Sequence, residues 1–539
     1  MKNRYVSLTL TLIFSGIFIL LSDSIGKSGG SSAPGQDYED LVLLFREFRE
    51  FQKPKVIDGV PDYTPEAMNK QGNKIKDFQS RLASIDARGW PISQQVDYYL
   101  VRAEMNGLEF DHRVLRPWFR DPAFYVPLTF QFGPKMHGSF HLPQLPLSQE
   151  RIPWLKTKLK AIPKILEQAK GNLKEGAVDL AMLGIRSKER EIALMDEYIP
   201  RLREHHLDLV PSAEKALEAL KDFKSWLETN KNMMTAPAGI GIENYNWYLK
   251  NVQLLPYTWE ELLAISQREY ERALACMKLE EHRNRHLPPL IPVSTAEDYI
   301  KLFNSSQSFL YDFLKTQEIL TVTDTFQLRP VRSWRRGSVR DYFAQIQDRD
   351  PLPLMPHDFV GHSPDAIRHR LDERPIRGTD RIYFIDGIRA EALATGMEEI
   401  LMHTGLLDGR SRSRELAYNL LAFRAARAIS DLRMHSLELS LMEGFQFNID
   451  KTPFGWLPED SRTMWHDIEL YLRQPTYGVG YLIGSVQLQK LLADRGDQLG
   501  EEFKLKAFMD EFLAAGMIPL SLIRWEMTGL DDEIQKILF

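Results

Sequence analysis

The sequence predicts a mainly α-helical protein. After about residue 37, apolar residues recur at three- and four-residue spacing, which is the period of a helix with one buried face. Strand-like runs are few, and they do not alternate with helices as a doubly wound parallel sheet requires. The 539 residues are 43% hydrophobic and 26% charged, so the chain can bury a large core.

The helical pattern is clearest in seven segments. They are 38–51, 161–181, 214–227, 258–277, 415–443, 485–494 and 501–515. Thr258 followed by Glu261 has the spacing of a capping box, which marks a helix start. The long pattern in 415–443 has no Gly or Pro, so it predicts one continuous helix. Only two short runs, 319–323 and 381–385, are good strand candidates.

The N-terminus carries a targeting pattern. Lys2 and Arg4 precede an uncharged, largely apolar run over 5–22. Residues 1–24 are therefore either a cleaved signal peptide or, because 18 apolar residues nearly span a bilayer, a membrane anchor. Residues 25–37, rich in Gly and Ser, predict a flexible tether. We expect a periplasmic or secreted protein after cleavage, and otherwise one anchored to the inner membrane through 5–22.

Charge and cysteine content exclude several classes. The net charge is −6 without a basic stripe, so we expect no nucleic-acid partner. Cys276 is the only cysteine, which excludes an internal disulfide, a cysteine zinc site and lipid attachment after the apolar run. An exported protein without disulfides suits a bacterial periplasm. The rest divides softly into helical regions 38–235 and 236–539, which could form one body around a cleft.

The segment 356–362, Pro-His-Asp-Phe-Val-Gly-His, places two histidines close to a carboxylate. His357 and His362 are five residues apart, which rotates them about 140° on a regular helix. A π-bulge would realign them. However, Gly361 weakens a helix, and Ser363 followed by Pro364 predicts a fresh helix start. We therefore predict a loop that presents both histidines, either as ligands of zinc or another divalent metal or as hydrogen-bonding groups.

A second segment, 386–399, supplies carboxylates. Asp386 or Glu391 could complete a metal site or act as a base. The alternative is an ordinary helix with Asp386 near its N-terminus and with Arg389 or Glu398 in surface pairs.

A third segment places polar residues on one stripe of an apolar helix. Arg427, Asp431 and His435 follow one another at four-residue spacing, and Arg424 lies in the same arc. Such a stripe faces either a cleft or a buried polar network. His435, oriented by Asp431, could donate a proton or a hydrogen bond in catalysis. Equally, the residues could pair to fasten helices.

A fourth segment, 474–484, combines three glycines with tyrosines. Glycine permits close packing or a close approach of the backbone to a ligand. Tyr481 could donate its hydroxyl to an oxyanion, or it could fill space between tightly packed helices.

In their order along the chain, these motifs resemble the bacterial family named domain of unknown function 885. The resemblance covers roughly residues 235–530 and is strongest at the Arg-Ala-x-Arg-x-x-x-Asp-x-x-x-His helix that begins at Arg424. Further matching segments are 239–245, 255–262, 471–484 and 508–520. The resemblance implies a large helical, zinc-peptidase-like (zincin-like) body with a central cleft and few short strands.

The departures from the family pattern concern its signature residues. His357-Asp358 matches the start of the family's His-Glu-x-x-Pro-Gly-His only with one residue deleted, whereas Gly361-His362 matches its end. The family's Glu-Gly-Trp lines up with Asp386-Gly387-Ile388, and Met509 stands where the family has His. Together they indicate a divergent member with an altered or lost metal site.

The leading hypothesis from the sequence is an exported metal-dependent hydrolase of peptide or other amide bonds. His357, His362 and either Asp386 or Glu391 would hold zinc or another divalent metal. Asp358 would activate water, and His435 and Tyr481 would stabilise the oxyanion.

Two alternatives remain open at this stage. The first is a catalytically degenerate member that binds a peptide or a carboxylated ligand, and its proposed ligand-binding residues are Arg389, Arg424, Arg427 and Asp431. The second is a membrane-tethered interaction protein that keeps its N-terminal segment.

Overall fold

The computed structural model describes residues 37–126, 141–323, 326, 328, 341–410 and 412–538. The predicted signal or anchor (1–24), and the tether (25–37) except for its last residue, lie outside them. Within the described part of the chain, no helix is both long and apolar enough to cross a membrane.

Helices occupy most of the described residues, which confirms the predicted mainly α class. The α-helices are α1 (Tyr38–Phe51), α2 (Pro65–Ala83), α3 (Ile92–Phe110), α4 (Pro117–Arg120), α5 (Arg151–Asn172), α6 (Val178–His205), α7 (Val210–Asn230), α8 (Ile242–Asn251), α9 (Trp259–Arg283), α10 (Ala296–Thr316), α11 (Tyr342–Gln347), α12 (Ser363–Arg370), α13 (Gly387–His403), α14 (Ser413–His435), α15 (Leu441–Lys451), α16 (Arg462–Arg473), α17 (Tyr477–Leu499), α18 (Leu505–Ala515), α19 (Leu520–Thr528) and α20 (Asp532–Leu538). Short 3-10 turns occupy Pro122–Phe124, Leu207–Leu209, Lys231–Met233, Pro453–Gly455 and Gly500–Glu502.

Two helical segments have π geometry, in which backbone hydrogen bonds join residues five apart. The N-terminal π segment, Asp111–Leu115, continues α3, and the central π segment, His357–His362, leads into α12. Each adds one extra residue to a helical turn, which changes which side chains share a face.

The strand predictions were wrong. Among the described residues, β1 (Val56–Ile57) and β2 (Val60–Pro61) form an antiparallel hairpin. Residues 319–323 are irregular, and 381–385 form turns in which Tyr383 and Phe384 have positive φ. In both runs, apolar side chains pack into the core without a strand partner, so their burial accounts for the composition that suggested strands.

Helix boundaries follow local capping. The capping box at Thr258 is confirmed, since Thr258 and Glu261 exchange side-chain to backbone hydrogen bonds at the start of α9. The single helix predicted over 415–443 is two helices, α14 and α15. Leu437 takes a positive φ of 69°, and Ser440 starts α15 with its own capping box.

Three apolar cores hold the body together. The largest joins α1 and α3 to α8, α9, α13, α14, α17 and α19, so the N-terminal helices and the C-terminal helices share it. A second lies among α5, α6 and α7, and a third joins α6 to α14, α15 and α16. Helix α14 packs against α9 and α17, and α13 packs against α17 and the central π segment. These packed helices position the candidate site.

Candidate functional site

The central π segment brings His357 and His362 onto one face. The backbone N–H of Ser363 donates to the carbonyl of Asp358, five residues back, so the turn is π-helical. The predicted loop was therefore wrong, whereas the predicted helix start at Ser363 and Pro364 is confirmed. Ser363 is the first residue of α12, and its hydroxyl donates to the Asp358 carboxylate at 2.8 Å.

Gly361 lets this segment lie against α13. A Cβ added at Gly361 would be 2.6 Å from Cα of Ala394, which is closer than real side chains approach. In the sequence, Gly361 indicated a break in a helix. In the structure, it is needed for the contact that brings the histidines to α13.

Two imidazoles and one carboxylate meet at this contact. Nε2 of His357 and Nε2 of His362 are 3.2 Å apart. Oε2 of Glu391 lies 3.6 Å from the first nitrogen and 3.4 Å from the second. In the described part of the chain, this is the one group of three or more His, Cys, Asp or Glu side chains whose ligand atoms all lie within 4.8 Å of one another. We call His357, His362 and Glu391 the trio.

A second carboxylate orients the first histidine. Nδ1 of His357 lies 3.0 Å from Oε1 of Glu398, and Arg424 pairs with the other oxygen of Glu398 at 2.6 Å. Nη2 of Arg424 also lies 3.4 Å from this Nδ1, and the carboxylate, as the nearer group, favours a proton on Nδ1 and leaves Nε2 as the ligand nitrogen. His357 is therefore held with Nε2 toward Glu391.

The pKa values of the trio follow from burial and mutual charge. Burial, together with Arg424, lowers the pKa of His357 well below its ordinary value, which keeps the imidazole neutral. Burial would lower the pKa of His362, but the hydrogen bond and charge of Glu391 outweigh it and raise that pKa. Burial likewise opposes ionisation of Glu391, yet the two histidines bring its pKa below the ordinary value.

Glu398 behaves differently. Burial raises its pKa to about 7, and the charge of Arg424 opposes that rise only in part.

The trio opens into a cavity of about 1070 Å³. Its lining comes from α6, α10, α11, the central π segment, α13, α14, α16 and α17. The lining includes Arg186, Arg190, Tyr299, Phe303, Asp341, Asp358, Arg424, Arg427, Arg462, Thr463, Trp465, His466, Asp467, Tyr477 and Tyr481. This size suits an organic ligand or a short stretch of peptide.

Two tyrosines of α17 stand beside the trio. The Tyr481 ring stacks near that of His357, with centroids 6.5 Å apart. The Tyr477 hydroxyl donates to Oε1 of Glu391 at 3.4 Å. Tyr477 was not among the predicted site residues. Its spacing of four from Tyr481, on one helix face, is the signal that could have identified it.

The polar stripe of α14 splits between cavity and core. Arg427 lines the cavity, pairs with Asp467 at 2.8 Å and lies over the Tyr481 ring at 4.3 Å. Asp431 is buried and accepts from the backbone N–H groups of Gly478 at 2.7 Å and Val479 at 3.3 Å. Asp431 therefore fixes the start of α17, and with it Tyr477.

His435 lies in the interior. It is fully buried, donates from Nε2 to the carbonyl of Tyr471 at 3.0 Å, and does not line the cavity. Burial lowers its pKa to about 4, so the ring is neutral. The geometry gives His435 a structural role at the end of α14.

Asp386 and Arg389 also lie away from the trio. Asp386 is the N-cap residue of α13, and five residues separate it from Glu391, a rotation of about 140° around the helix. Glu391 thus meets the histidines from a different face. Arg389 is fully buried, pairs with Asp365 and lies over the Phe512 ring at 4.7 Å. Neither residue lines the cavity.

The trio fits a divalent metal. Oε2 of Glu391 is buried and, apart from the two imidazole nitrogens at 3.4 and 3.6 Å, has no hydrogen-bond partner among the described residues, as expected of a ligand oxygen. His and carboxylate donors are the usual catalytic zinc set, and the contact of His357 with Glu398 matches the outer support of such ligands. His357, His362 and Glu391 are the residues that would hold the ion.

The solved structures that share this fold include two bacterial proteins. They come from Shewanella oneidensis (TM-score 0.69, 14% identity, 92% of this chain and 100% of the other) and from Colwellia psychrerythraea (TM-score 0.65, 13% identity, 92% and 99%). Both are described as a "putative lipoprotein", the first of unknown function. At these identities the likeness shows the fold alone. No curated protein matches the chain significantly.

The family comparison is specific in where it matches. The model described as "Bacterial protein of unknown function (DUF885)" matches residues 52–318 and 395–527. The part between the two matched stretches holds the whole trio and the departures at 357–362 and 386–388, whereas Met509 lies inside the second matched stretch. The matched residues cover well over half of the sequence, and the chain therefore belongs to this bacterial family of unknown function.

Proposed function

We propose that this protein is a metal-dependent hydrolase of peptide or other amide bonds. The observation that carries the proposal is the trio itself. Its two Nε2 atoms and a buried carboxylate oxygen converge within 4.8 Å at the wall of a large cavity. Perturbed ionisable groups in a cavity of this size favour a catalytic site over a purely structural cluster.

The residues around the trio have matching roles. A bound divalent metal would polarise the substrate carbonyl and make water a better nucleophile. Asp358 is exposed to the cavity and follows His357 directly, so it is the candidate base that takes the proton from water. The hydroxyls of Tyr477 and Tyr481 are the candidate donors to the oxyanion. His435 and Asp386, which lie elsewhere, drop out of this scheme.

We propose an extracytoplasmic location. The basic start and the apolar run over 5–22 support export, with either cleavage or a membrane tether. The description of both structural neighbours as lipoproteins points the same way. In this chain Cys276 lies in α9, so a lipid on a cysteine near the apolar run is not the means of attachment.

Metal content and turnover test the proposal together. The purified full-length chain is analysed for bound metal, then incubated with a peptide mixture that is read by mass spectrometry with and without a chelator. We expect about one equivalent of zinc or another divalent ion and cleavage that the chelator stops. An Asp358→Asn variant should keep the metal but lose at least about 100-fold in turnover. The absence of bound metal, and of uptake on addition, would contradict the proposal.

A second function, ligand binding without catalysis, is favoured by Asp358. Asp is one methylene shorter than the family's Glu, and its carboxylate already accepts a hydrogen bond from Ser363. The matched variant is Asp358→Glu, which restores the family residue. Turnover that appears only in Asp358→Glu, with metal bound in both proteins, would establish the natural chain as a binder.

A further inference from the structure

One wall of the cavity is strongly cationic. It is formed by α6, from the N-terminal half of the chain, and α16, from the C-terminal half. Arg190 of α6 pairs with Glu469 of α16 at 2.9 Å, which joins the two helices. One turn earlier on α6, the guanidinium carbon of Arg186 lies 3.6 Å from the centre of the Trp465 ring. Arg462 precedes Trp465 by three residues and also lines the cavity.

The arginines of the cavity differ in their counter-charges. Arg190, Arg424 and Arg427 each have a carboxylate partner, as described above. Arg186 and Arg462 have none within the part of the chain that the structure describes. We call Arg186 and Arg462 the open arginine pair.

The acids around the open arginine pair are already engaged. Glu189 and Glu469 are the acids whose charges act on Arg186, and they pair with Lys224 and with Arg190 and Arg473. Two further acids line the cavity. Asp341 accepts hydrogen bonds from the hydroxyls of Ser461 and Thr463, at 2.6 and 2.7 Å, and from backbone N–H groups. Asp467 is the partner of Arg427. These carboxylates therefore anchor α16 and do not neutralise the open arginine pair.

Arg186 has the features of an anion-binding arginine. It is half-buried, and burial together with the charge of Arg190 lowers its pKa, although Glu189 and Glu469 act in the opposite direction. Stacking on Trp465 uses the face of the guanidinium and leaves its N–H edge available. That edge matches a carboxylate, which it can bind with two parallel hydrogen bonds.

We propose that Arg186 and Arg462 bind a carboxylate group of the substrate, so that the substrate class is a peptide with a free carboxylate away from the cleaved bond. Cleavage of that peptide rests on the function proposed above, whereas its binding by the open arginine pair does not. Two sources share this chemistry, namely the C-terminal carboxylate and an acidic side chain.

Binding to metal-free protein isolates the arginines. The full-length chain, treated with chelator so that no turnover occurs, is titrated in a calorimeter with three probes. The probes are acetylated tetraalanine with a free C-terminus, its C-terminal amide, and an amide of the same length with one glutamate side chain. We expect the free acid to bind at least about tenfold more tightly than the plain amide. If the glutamate amide binds as the acid does, the side chain is also a source of the carboxylate.

Variants then locate the effect. Arg186→Ala and Arg462→Ala should each weaken binding of the acid about tenfold or more and leave binding of the amide unchanged, and Arg186→Lys should lie between. Arg203→Ala is the matched control, because Arg203 lies on the same helix in an exposed pair with Glu214. Equal binding of acid and amide by the natural chain, or of the acid by natural and Arg186→Ala proteins, overturns the proposal. A natural chain that binds none of the three probes overturns it too.

Metal analysis of the same preparations before chelation separates the two proposals. If the protein binds no metal but still prefers the free acid, only the proposed hydrolase activity is contradicted. If the protein binds one equivalent of metal but does not prefer the free acid, only the proposed role of the open arginine pair is contradicted.

Discussion

The two π segments contain the same kinds of residue but differ in their surroundings. The N-terminal π segment begins Asp111-His112, and the central π segment begins His357-Asp358. In the first, the His112 ring is hydrogen bonded to Gln71 at 2.9 Å and packs on Trp118, with centroids 4.7 Å apart. In the second, both histidines turn toward Glu391 at a cavity.

The charges differ as well. Burial raises the pKa of Asp111 to about 8, so this carboxyl is mostly neutral at pH 7. Burial also acts on Glu391, but two imidazoles beside it keep its pKa low. A π turn therefore sets which side chains share a face, and a site needs a cavity and partner charges in addition.

Removing the histidines of each segment should give the clearest contrast. In a His357→Ala, His362→Ala double variant we expect metal affinity to fall by more than about 1000-fold, because two of the three proposed ligands are lost. His112→Ala should keep one equivalent of metal and lose roughly 1–2 kcal/mol in the free energy of unfolding. Elemental analysis and urea unfolding measure the two effects. A double variant that still holds one equivalent would show that the metal binds elsewhere.

Replacing Glu398, which contacts His357, should have the next largest effect on metal affinity. Glu398→Gln removes the charge behind His357, so we expect metal affinity to fall about 10- to 100-fold with the fold unchanged. Glu399→Gln is the control, since Glu399 is its neighbour on α13 but pairs with Arg272 at 2.8 Å. A competition titration with a chelating dye gives both affinities. Equal losses in the two variants would mean that the effect comes from α13 as a whole.

Replacing glycines tests how closely the central π segment packs against α13. Gly361→Ala places a methyl group against Ala394 and should cost about 1–3 kcal/mol of stability, with weaker metal binding. Gly171→Ala, in the last turn of α5 with nothing within 4 Å of the added carbon, should be neutral or stabilising by about 0.5–1 kcal/mol. Thermal unfolding measures both. A stable Gly361→Ala protein with intact metal binding would disprove the packing argument.

The buried acid of the N-terminal π segment should give the smallest effect, seen as a pH dependence. The pKa of Asp111 is raised from 3.8 to about 8 on folding, so the native state binds this proton more strongly than the unfolded chain. The stability that it contributes is present below about pH 4 and is lost as the pH rises to about 8. Asp111→Asn should therefore flatten the fall in stability between pH 5 and pH 9, by about 1 kcal/mol or more. Parallel urea-midpoint curves for the two proteins would refute this.

The sequence predicted elements whose causes are local. Helix α1 matches the predicted 38–51, and the capping box at Thr258 is confirmed, because both depend on residues within one or two turns. The sequence allows a π turn at 357–362 but favours a loop, since Gly361 indicates a helix break unless its contact with α13 is known.

Other site residues depended on distant contacts. Asp386 and Glu391 could not be separated without the orientation of α13. Arg186 was not identified at all, because nothing near it in sequence shows that it meets α16. The prediction of a single helix over 415–443 was wrong for a simpler reason. Ser440 and Glu443 have the spacing of a capping box, which marks a new helix start within that range.

The contact between α6 and α16 also bears on the order of folding. Arg190 and Glu469 are 279 residues apart in the chain, whereas the trio lies within one stretch of about 35 residues. Contacts across long separations carry the larger loop-closure cost and form late. From loop length alone, we therefore expect the contact between α6 and α16 to form after His357, His362 and Glu391 can meet, so that the cationic wall of the cavity is completed late in folding.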